Sequence, residues 1–146
     1  MSEQKKYEFT GKIKTIFGIE FKQIRAIISF GCVVAGEIGG WIECEENLSQ
    51  YGDAWVSGNA RVSGDAEVKK DDDYMVIGGA GRYNRFTTFF KCRDKTIKVI
   101  CGCFFGTIIE FRAKVKETHK GNKHEKVYLA MADMAELQIG NDEVEK

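Results

Sequence analysis

Small and apolar residues recur at every sixth position in the middle of the chain. Read with this period, residues 52–69 form three units: Gly-Asp-Ala-Trp-Val-Ser, Gly-Asn-Ala-Arg-Val-Ser and Gly-Asp-Ala-Glu-Val-Lys. The Ala and Val of each unit are two positions apart and therefore lie on one face of a strand. The Gly-Asx pairs tolerate the positive φ of a tight corner. The pattern predicts one turn of a left-handed β-helix, or alternatively a meander of short strands. The inward positions would be Ala54, Val56, Ala60, Val62, Ala66 and Val68, and the outward ones Trp55, Arg61 and Glu67.

The segment before the repeats has the alternation of β-strands. Polar and apolar residues alternate over 12–17 and over 19–25, with Gly18 between the two runs. This arrangement predicts an N-terminal β-hairpin. Because a single β-helical turn cannot bury its own ends, we expect the hairpin and the Gly-rich segment through Trp41 to stack beneath the repeats.

The residues after the repeats predict strands followed by helices. The expected strands are Tyr74–Ile77, Phe86–Lys91 and Thr96–Cys103. Thr107 and Glu110 have the spacing of a capping box, which marks a helix start. This helix is expected to bury Ile108, Phe111 and Val115, and to end near Gly121. The apolar face predicted for the second helix consists of Val127, Ala130, Met131, Met134 and Leu137.

These patterns together predict the α+β class. The expected parts are an N-terminal β segment (1–46), a β-helical turn (47–70), a C-terminal antiparallel βββαα module (71–139) and a polar tail (140–146). Unpaired backbone edges at the ends of a β-helical turn invite pairing with another chain, so a homo-oligomer is expected, either a dimer or a trimer.

Charge is balanced over the whole chain but not along it. The 146 residues carry 22 basic and 22 acidic side chains, so net charge gives no reason to expect membrane or specific nucleic-acid binding. Residues 74–120 nevertheless hold ten basic residues against three acidic ones. The start of the chain lacks the apolar core of a signal peptide, and no apolar run approaches the roughly 20 residues of a membrane helix. We therefore expect a cytoplasmic protein, in the host cell if the chain is viral.

Two sets of residues could carry chemistry but have simpler interpretations. Cys101 and Cys103 share a strand face with Ile97 and Val99, which favours small core residues over a metal or redox site, and no metal or cofactor is predicted. Acyltransferases built from hexapeptide repeats use a histidine as general base. Both histidines, His119 and His124, lie outside the repeats, and the first suits the C-terminus of a helix.

A glycine-rich loop offers the best candidate ligand site. Exposed backbone N–H groups and arginine side chains are well suited to a phosphate, and the free N–H groups at the start of the first helix could add to them. The opposing interpretation is a glycine turn with solvated arginines and an ordinary capped helix. The candidate anion-binding residues are Gly79, Gly81, Arg82, Asn84, Arg85, Gly106 and Thr107.

Large aromatic side chains suggest a second kind of site. Residues of this type anchor protein interfaces because one part is apolar and another can form hydrogen bonds. The opposing interpretation is packing within the chain. The candidate interface residues are Trp41, Tyr51, Trp55 and Tyr83.

Two motifs resemble a family of small phage and prophage proteins of undescribed activity. The first is Ile38-Gly-Gly-Trp-Ile-Glu43 followed by the Gly-Asn-Ala-x-Val repeats. The second is Cys101-Gly-Cys-Phe-Phe-Gly-Thr107, followed by Thr118-His119. The resemblance covers most of the chain and implies a viral origin and a β-helical fold. The glycine loop departs from the family pattern, since relatives have Pro where Gly79 stands and Ser-Arg where Arg82-Tyr83 stand.

Residues and resemblance together predict a non-enzymatic binding protein of a phage. The most concrete expectation is an inhibitor of host antiviral defence, which would sequester a phosphorylated or nucleotide signal or bind a host defence protein. The alternatives are an enzyme of the hexapeptide acyltransferase type and a structural or assembly protein.

Overall fold

The computed structural model describes residues 5–16, 18–80, 85–101 and 104–139. The chain divides into two compact units, Met1–Asp71 (unit 1) and Asp72–Lys146 (unit 2). In the described part of the chain there are two four-stranded sheets and two α-helices, so the predicted α+β class is confirmed.

Unit 1 is built on a sheet of four strands in the order β1-β2-β3-β4. The strands are β1 (Tyr7–Ile16), β2 (Ile19–Ala26), β3 (Ile38–Ile42) and β4 (Arg61–Val62). The first three pair antiparallel, whereas β3 and β4 run parallel. The predicted N-terminal hairpin is therefore present, and it begins earlier than the alternating pattern indicated. A short 3-10 helix, Glu45–Asn47, follows β3.

The repeats stack in parallel on the Gly-rich segment. Ile42 lies opposite Val62, and Leu48 forms a parallel bridge with Val68, so each partner lies 20 residues further along the chain. All six predicted inward residues are buried, none exposing more than 1% of its surface, which confirms their inward orientation. Gly52, Gly58 and Gly64 have φ of 73°, 58° and 64°, as the corner interpretation requires. The left-handed helical path stays a prediction, because the pairing establishes parallel stacking without its hand.

Trp55 does not lie on an exposed surface, which corrects the expectation for this repeat position. It retains only 6% exposure and its ring meets Phe30 edge-on at 5.4 Å between centroids. A Cβ atom on Gly39 would stand 2.5 Å from the Trp55 ring, so the missing side chain of Gly39 is what admits the indole. Arg61 and Glu67, the other two outward positions, are half-buried.

Unit 2 contains an antiparallel sheet in the order β5-β6-β7-β8. Its strands are β5 (Tyr74–Ala80), β6 (Arg85–Lys91), β7 (Ile97–Cys101) and β8 (Phe104–Thr107), and a 3-10 turn, Asp71–Asp73, precedes them. The prediction of one strand over Thr96–Cys103 is wrong. The chain reverses after Cys101, and β8 pairs back onto β7, with Phe104 opposite Cys101. The module is therefore ββββαα rather than βββαα.

Two helices, α1 (Ile108–Thr118) and α2 (Lys123–Ile139), complete unit 2. The predicted capping box is confirmed, because the Thr107 hydroxyl accepts the Glu110 N–H and the Glu110 carboxylate accepts the Thr107 N–H. The predicted α1 face is buried. The core joins both helices to β6 and β7, and its members are Phe89, Ile97, Val99, Ile108, Phe111, Val115, Tyr128, Met131, Ala132, Ala135 and Ile139.

The predicted apolar face of α2 is largely wrong. Met131 is buried, but Val127, Met134 and Leu137 are exposed, Leu137 to 74%. Helix α2 carries two overlapping apolar stripes, and the one packed on the sheet runs through Tyr128, Ala132 and Ala135. Sequence periodicity alone could not choose between the two stripes.

Because only one of the two apolar stripes of α2 is buried, we expect two apolar residues of this helix to contribute differently to stability. We expect Met131→Ala to lower the free energy of unfolding by about 2–4 kcal/mol, because it leaves a cavity in the core. Leu137→Ala, at an exposed position on the same helix, should change it by less than about 0.5 kcal/mol. Urea unfolding of both variants measures the difference, and comparable losses would contradict the assignment of the buried stripe.

Candidate functional site

The glycine-rich segment that contains Gly79, Gly81, Arg82 and Arg85 is called the Gly–Arg loop below. It includes the connection between the paired strands β5 and β6. The last pair of the β5–β6 ladder is Ala80 opposite Arg85, and Gly79 belongs to β5. Four residues, 81–84, separate this pair along the chain. Gly81, Arg82, Tyr83 and Asn84 lie outside the described residues, as does the side chain of Arg85.

The start of α1 is already occupied by a carboxylate of the chain itself. Glu110 Oε1 accepts the Thr107 N–H at 2.9 Å, and the same oxygen would stand 2.6 Å from a Cβ atom on Gly106. A carboxylate at a helix N-terminus interacts favourably with the backbone N–H groups there. Any external anion at Gly106 and Thr107 would have to displace Glu110 or lie against its charge.

Of the four predicted aromatic interface residues, the three that the structure describes do not share one exposed surface. Tyr51 is 65% exposed, Trp55 is buried, and Trp41 is half-buried. Trp41 instead takes part in an arrangement that the sequence pattern did not reveal, because its members come from four separate strands.

These residues form what we call the basic–aromatic face: Lys14, Phe21, Gln23, Trp41 and Arg61. Lys14 Nζ lies 4.2 Å from the centroid of the Trp41 ring, and Arg61 Cζ lies 5.9 Å from that of Phe21. Each cation is thus placed over an aromatic ring, where the electron-rich face attracts it.

The two cations of this face influence one another. Partial burial lowers the pKa of Lys14, and the positive charge of Arg61 lowers it further. Both effects disfavour the charged ammonium, since it has lost hydration and faces a like charge.

Three buried polar residues secure unit 1, and sequence patterning identified none of them. Lys6 Nζ donates to the carbonyl oxygens of Ala54 at 2.7 Å and Gly52 at 3.2 Å. The Tyr7 hydroxyl donates to the Leu48 carbonyl at 2.6 Å, and burial, aided by the nearby Glu45, raises the pKa of Tyr7. These contacts tie β1 to the stacked segments more than 40 residues away.

Asn47 is the third of these residues and is fully buried. Its Oδ1 accepts the N–H groups of Glu43 and Cys44, both at 3.0 Å. Its Nδ2 donates to the carbonyl oxygens of Gly64 and Ala66, both at 3.1 Å. A single side chain therefore bridges the Gly-rich segment and the third repeat.

The cysteines and the histidine that were considered for metal binding or catalysis are explained by packing within the fold. Cys92 is buried and Cys101 is half-buried, with the Thr87 hydroxyl donating to the Cys101 Sγ at 3.2 Å; Cys103 lies outside the described residues. His119 stacks on Tyr128 at 5.5 Å. Over the described ranges no group of three or more His, Cys, Asp or Glu side chains is placed to hold a metal ion. The described helices include none long and apolar enough to cross a membrane.

Fold and site define a small α+β protein in which a parallel-stacked repeat segment and a ββββαα module each form a compact unit. A comparison with known family models found no match, and neither did a search of curated proteins.

Proposed function

We propose that this chain is a phage-encoded binding protein that inhibits host antiviral defence. In this proposal it sequesters a phosphorylated or nucleotide signal at the Gly–Arg loop. The phage origin rests on the resemblance of the repeats and of the Cys-Gly-Cys-Phe module to small phage proteins.

The observation that carries the ligand site is the pairing of Ala80 with Arg85. This pair closes the described part of the β5–β6 ladder, in a sheet that packs against two helices. We expect the loop that joins the two strands to be held by this scaffold. Loops held by a rigid scaffold commonly carry binding function. The fork of an arginine guanidinium matches the oxygens of a phosphate, and unit 2 contains all ten basic residues of the 74–120 stretch.

A second candidate function, binding to a host protein, is favoured by the exposed stripe of α2. Val127, Met134 and Leu137 are spaced so that they lie along one side of the helix, and all three are exposed. Contiguous exposed apolar side chains are typical of protein-binding surfaces. The experiment below separates this candidate from the first.

The double substitution Arg82→Ala with Arg85→Ala is expected to abolish binding of nucleotides. The melting temperature should fall by no more than about a degree or two, because solvated side chains contribute little to stability. Affinity of the native protein should weaken as salt rises, since screening reduces attraction between exposed charges. Calorimetric titration with a panel of cyclic and linear nucleotides measures both effects.

The matched control for this experiment is Arg93→Ala with Lys116→Ala. It removes the same charge from exposed positions of unit 2 and should leave nucleotide binding intact. The proposal fails if no nucleotide binds to the native protein while a host protein from lysate is retained equally by the native form and the Arg82/Arg85 variant. That outcome would favour the α2 stripe.

A further inference from the structure

Helix α2 exposes an apolar seam that the core of unit 2 does not use. The α2 seam is the exposed stripe extended by Ala130, so its residues are Val127, Ala130, Met134 and Leu137, at intervals of three, four and three. All four are exposed, Leu137 to 74% and Met134 to 49%. These are the intervals of the a and d positions of a coiled coil, which lie in one line along a helix. The seam therefore has the form against which another α-helix packs.

The sizes of the seam residues make the seam complementary to a second copy of itself. In an antiparallel pair of helices, each a position packs against a d position of the partner. Two seams centred on each other place Val127 against the partner's Leu137 and Ala130 against the partner's Met134. Each layer then combines a smaller side chain with a larger one. A parallel pair would set Ala130 against Ala130 and leave a gap in that layer, which close packing disfavours.

Charge along α2 favours the same antiparallel arrangement. Residues 123–126, Lys-His-Glu-Lys, hold two lysines against one glutamate, and both lysines are exposed. Further along the helix, Asp133 and Glu136 share the single charge of Arg112, at 3.0 and 2.7 Å. One end of α2 thus has an excess of one positive charge and the other an excess of one negative charge. Antiparallel pairing brings the unlike ends of two copies together.

We propose that α2 is the interface of an antiparallel homodimer, in which the seam of one copy packs against the seam of a second copy. Apolar burial supplies the affinity, and the charges select the orientation. The seam spans about three helical turns, so the dimer buries less than the ~1,200 Å² of a standard stable interface. We therefore expect a reversible dimer in equilibrium with the monomer. The inference does not rest on nucleotide binding at the Gly–Arg loop.

Analytical ultracentrifugation of the full chain from about 5 μM to about 500 μM tests the association. We expect the average mass to rise with concentration from that of a monomer toward that of a dimer. Met134→Glu with Leu137→Glu places charge in the seam and should raise the dissociation constant at least tenfold. The melting temperature of the dilute, monomeric variant should change by no more than about a degree or two, because both side chains are exposed.

Two controls isolate the seam from other surfaces and from the charges beside it. Val34→Glu introduces the same charge at an apolar residue of unit 1 that is 65% exposed, and it should change the dissociation constant less than twofold. Lys123→Glu with Lys126→Glu should weaken the dimer severalfold. Added salt should reduce that difference, since it screens exposed charges.

Disulfide cross-linking determines the orientation of the two helices. Val127→Cys mixed with Leu137→Cys should form a covalent dimer under mild oxidation, because antiparallel pairing places these positions together. Either variant alone should form no more covalent dimer than the parent chain. The parent supplies the background, since Cys32 is itself exposed.

Four results would overturn the proposal. The first is a monomer at every concentration, and the second is a dimer of unchanged affinity in the Met134/Leu137 variant, which would place the interface elsewhere. The third is cross-linking of each cysteine variant with itself, which would mean parallel helices. The fourth is a monomeric chain that captures a host protein only when the seam is intact, as in the second candidate function. Nucleotide titration of the Met134/Leu137 variant should match that of the native protein, so the dimer and the Gly–Arg loop are tested separately.

Discussion

Val62→Asp is expected to unfold unit 1. Val62 is fully buried between the repeats and the Gly-rich segment, and it pairs with Ile42. A carboxylate at this position would lose its hydration without gaining a partner. We expect a loss of about 4 kcal/mol or more, which is most of the stability of a typical small domain. Circular dichroism during thermal melting would show the loss of the native transition.

The control for Val62→Asp is Asn59→Asp. This position belongs to the same repeat but is exposed, so the same carboxylate should remain hydrated there. The melting temperature is expected to change by no more than about a degree or two, as for most exposed substitutions. Equal tolerance of both variants would show that the Ala-x-Val positions do not form the interior.

Asn47→Ala is expected to produce the second largest loss of stability. The amide satisfies two N–H groups on one side and two carbonyl oxygens on the other, and of the four hydrogen bonds the one to Ala66 is fully buried. A buried polar group left without its partner costs about 1–3 kcal/mol. Because some of the four will find water, we expect a total loss of about 3–5 kcal/mol rather than the full sum.

Asn59→Ala provides the matched comparison for Asn47→Ala. Both substitutions remove the same side-chain atoms, but Asn59 is exposed at a repeat corner. Its loss should therefore stay below about 1 kcal/mol. Chemical denaturation of the two variants gives the difference directly. A loss below 1 kcal/mol at Asn47 would mean that the bridge between the stacked segments contributes little.

Periodic features of the fold were predictable from the sequence. The Ala and Val positions of the repeats, the N-terminal hairpin and the capping box at Thr107 each depend on local spacing, and the structure contains all three. Predictions failed where two local patterns competed. Helix α2 carries two apolar stripes, and only packing against the sheet selects the one with Tyr128 and Ala132.

Long-range partnerships were not predictable. Trp55 occupies an outward repeat position, and its burial depends on the absence of a side chain at Gly39, which no local pattern specifies. Lys6 and Asn47 are single polar residues in otherwise ordinary surroundings, and their importance comes from carbonyl groups far along the chain. The basic–aromatic face likewise exists only after β1 to β4 have paired. For the Gly–Arg loop, the structure describes the two strands on either side, and the role of its basic residues stays a prediction.

The contact between Lys6 and the carbonyl oxygens of Gly52 and Ala54 sets an order of events during synthesis. Lys6 leaves the ribosome before the repeats do, and it cannot be enclosed until they have followed. The described residues of 72–146 add no strand to the sheet of unit 1, and this part of the chain emerges afterwards. At about 5–20 residues per second their translation takes roughly 4–15 s. Unit 1 therefore has time to close around Lys6 while unit 2 is still being translated.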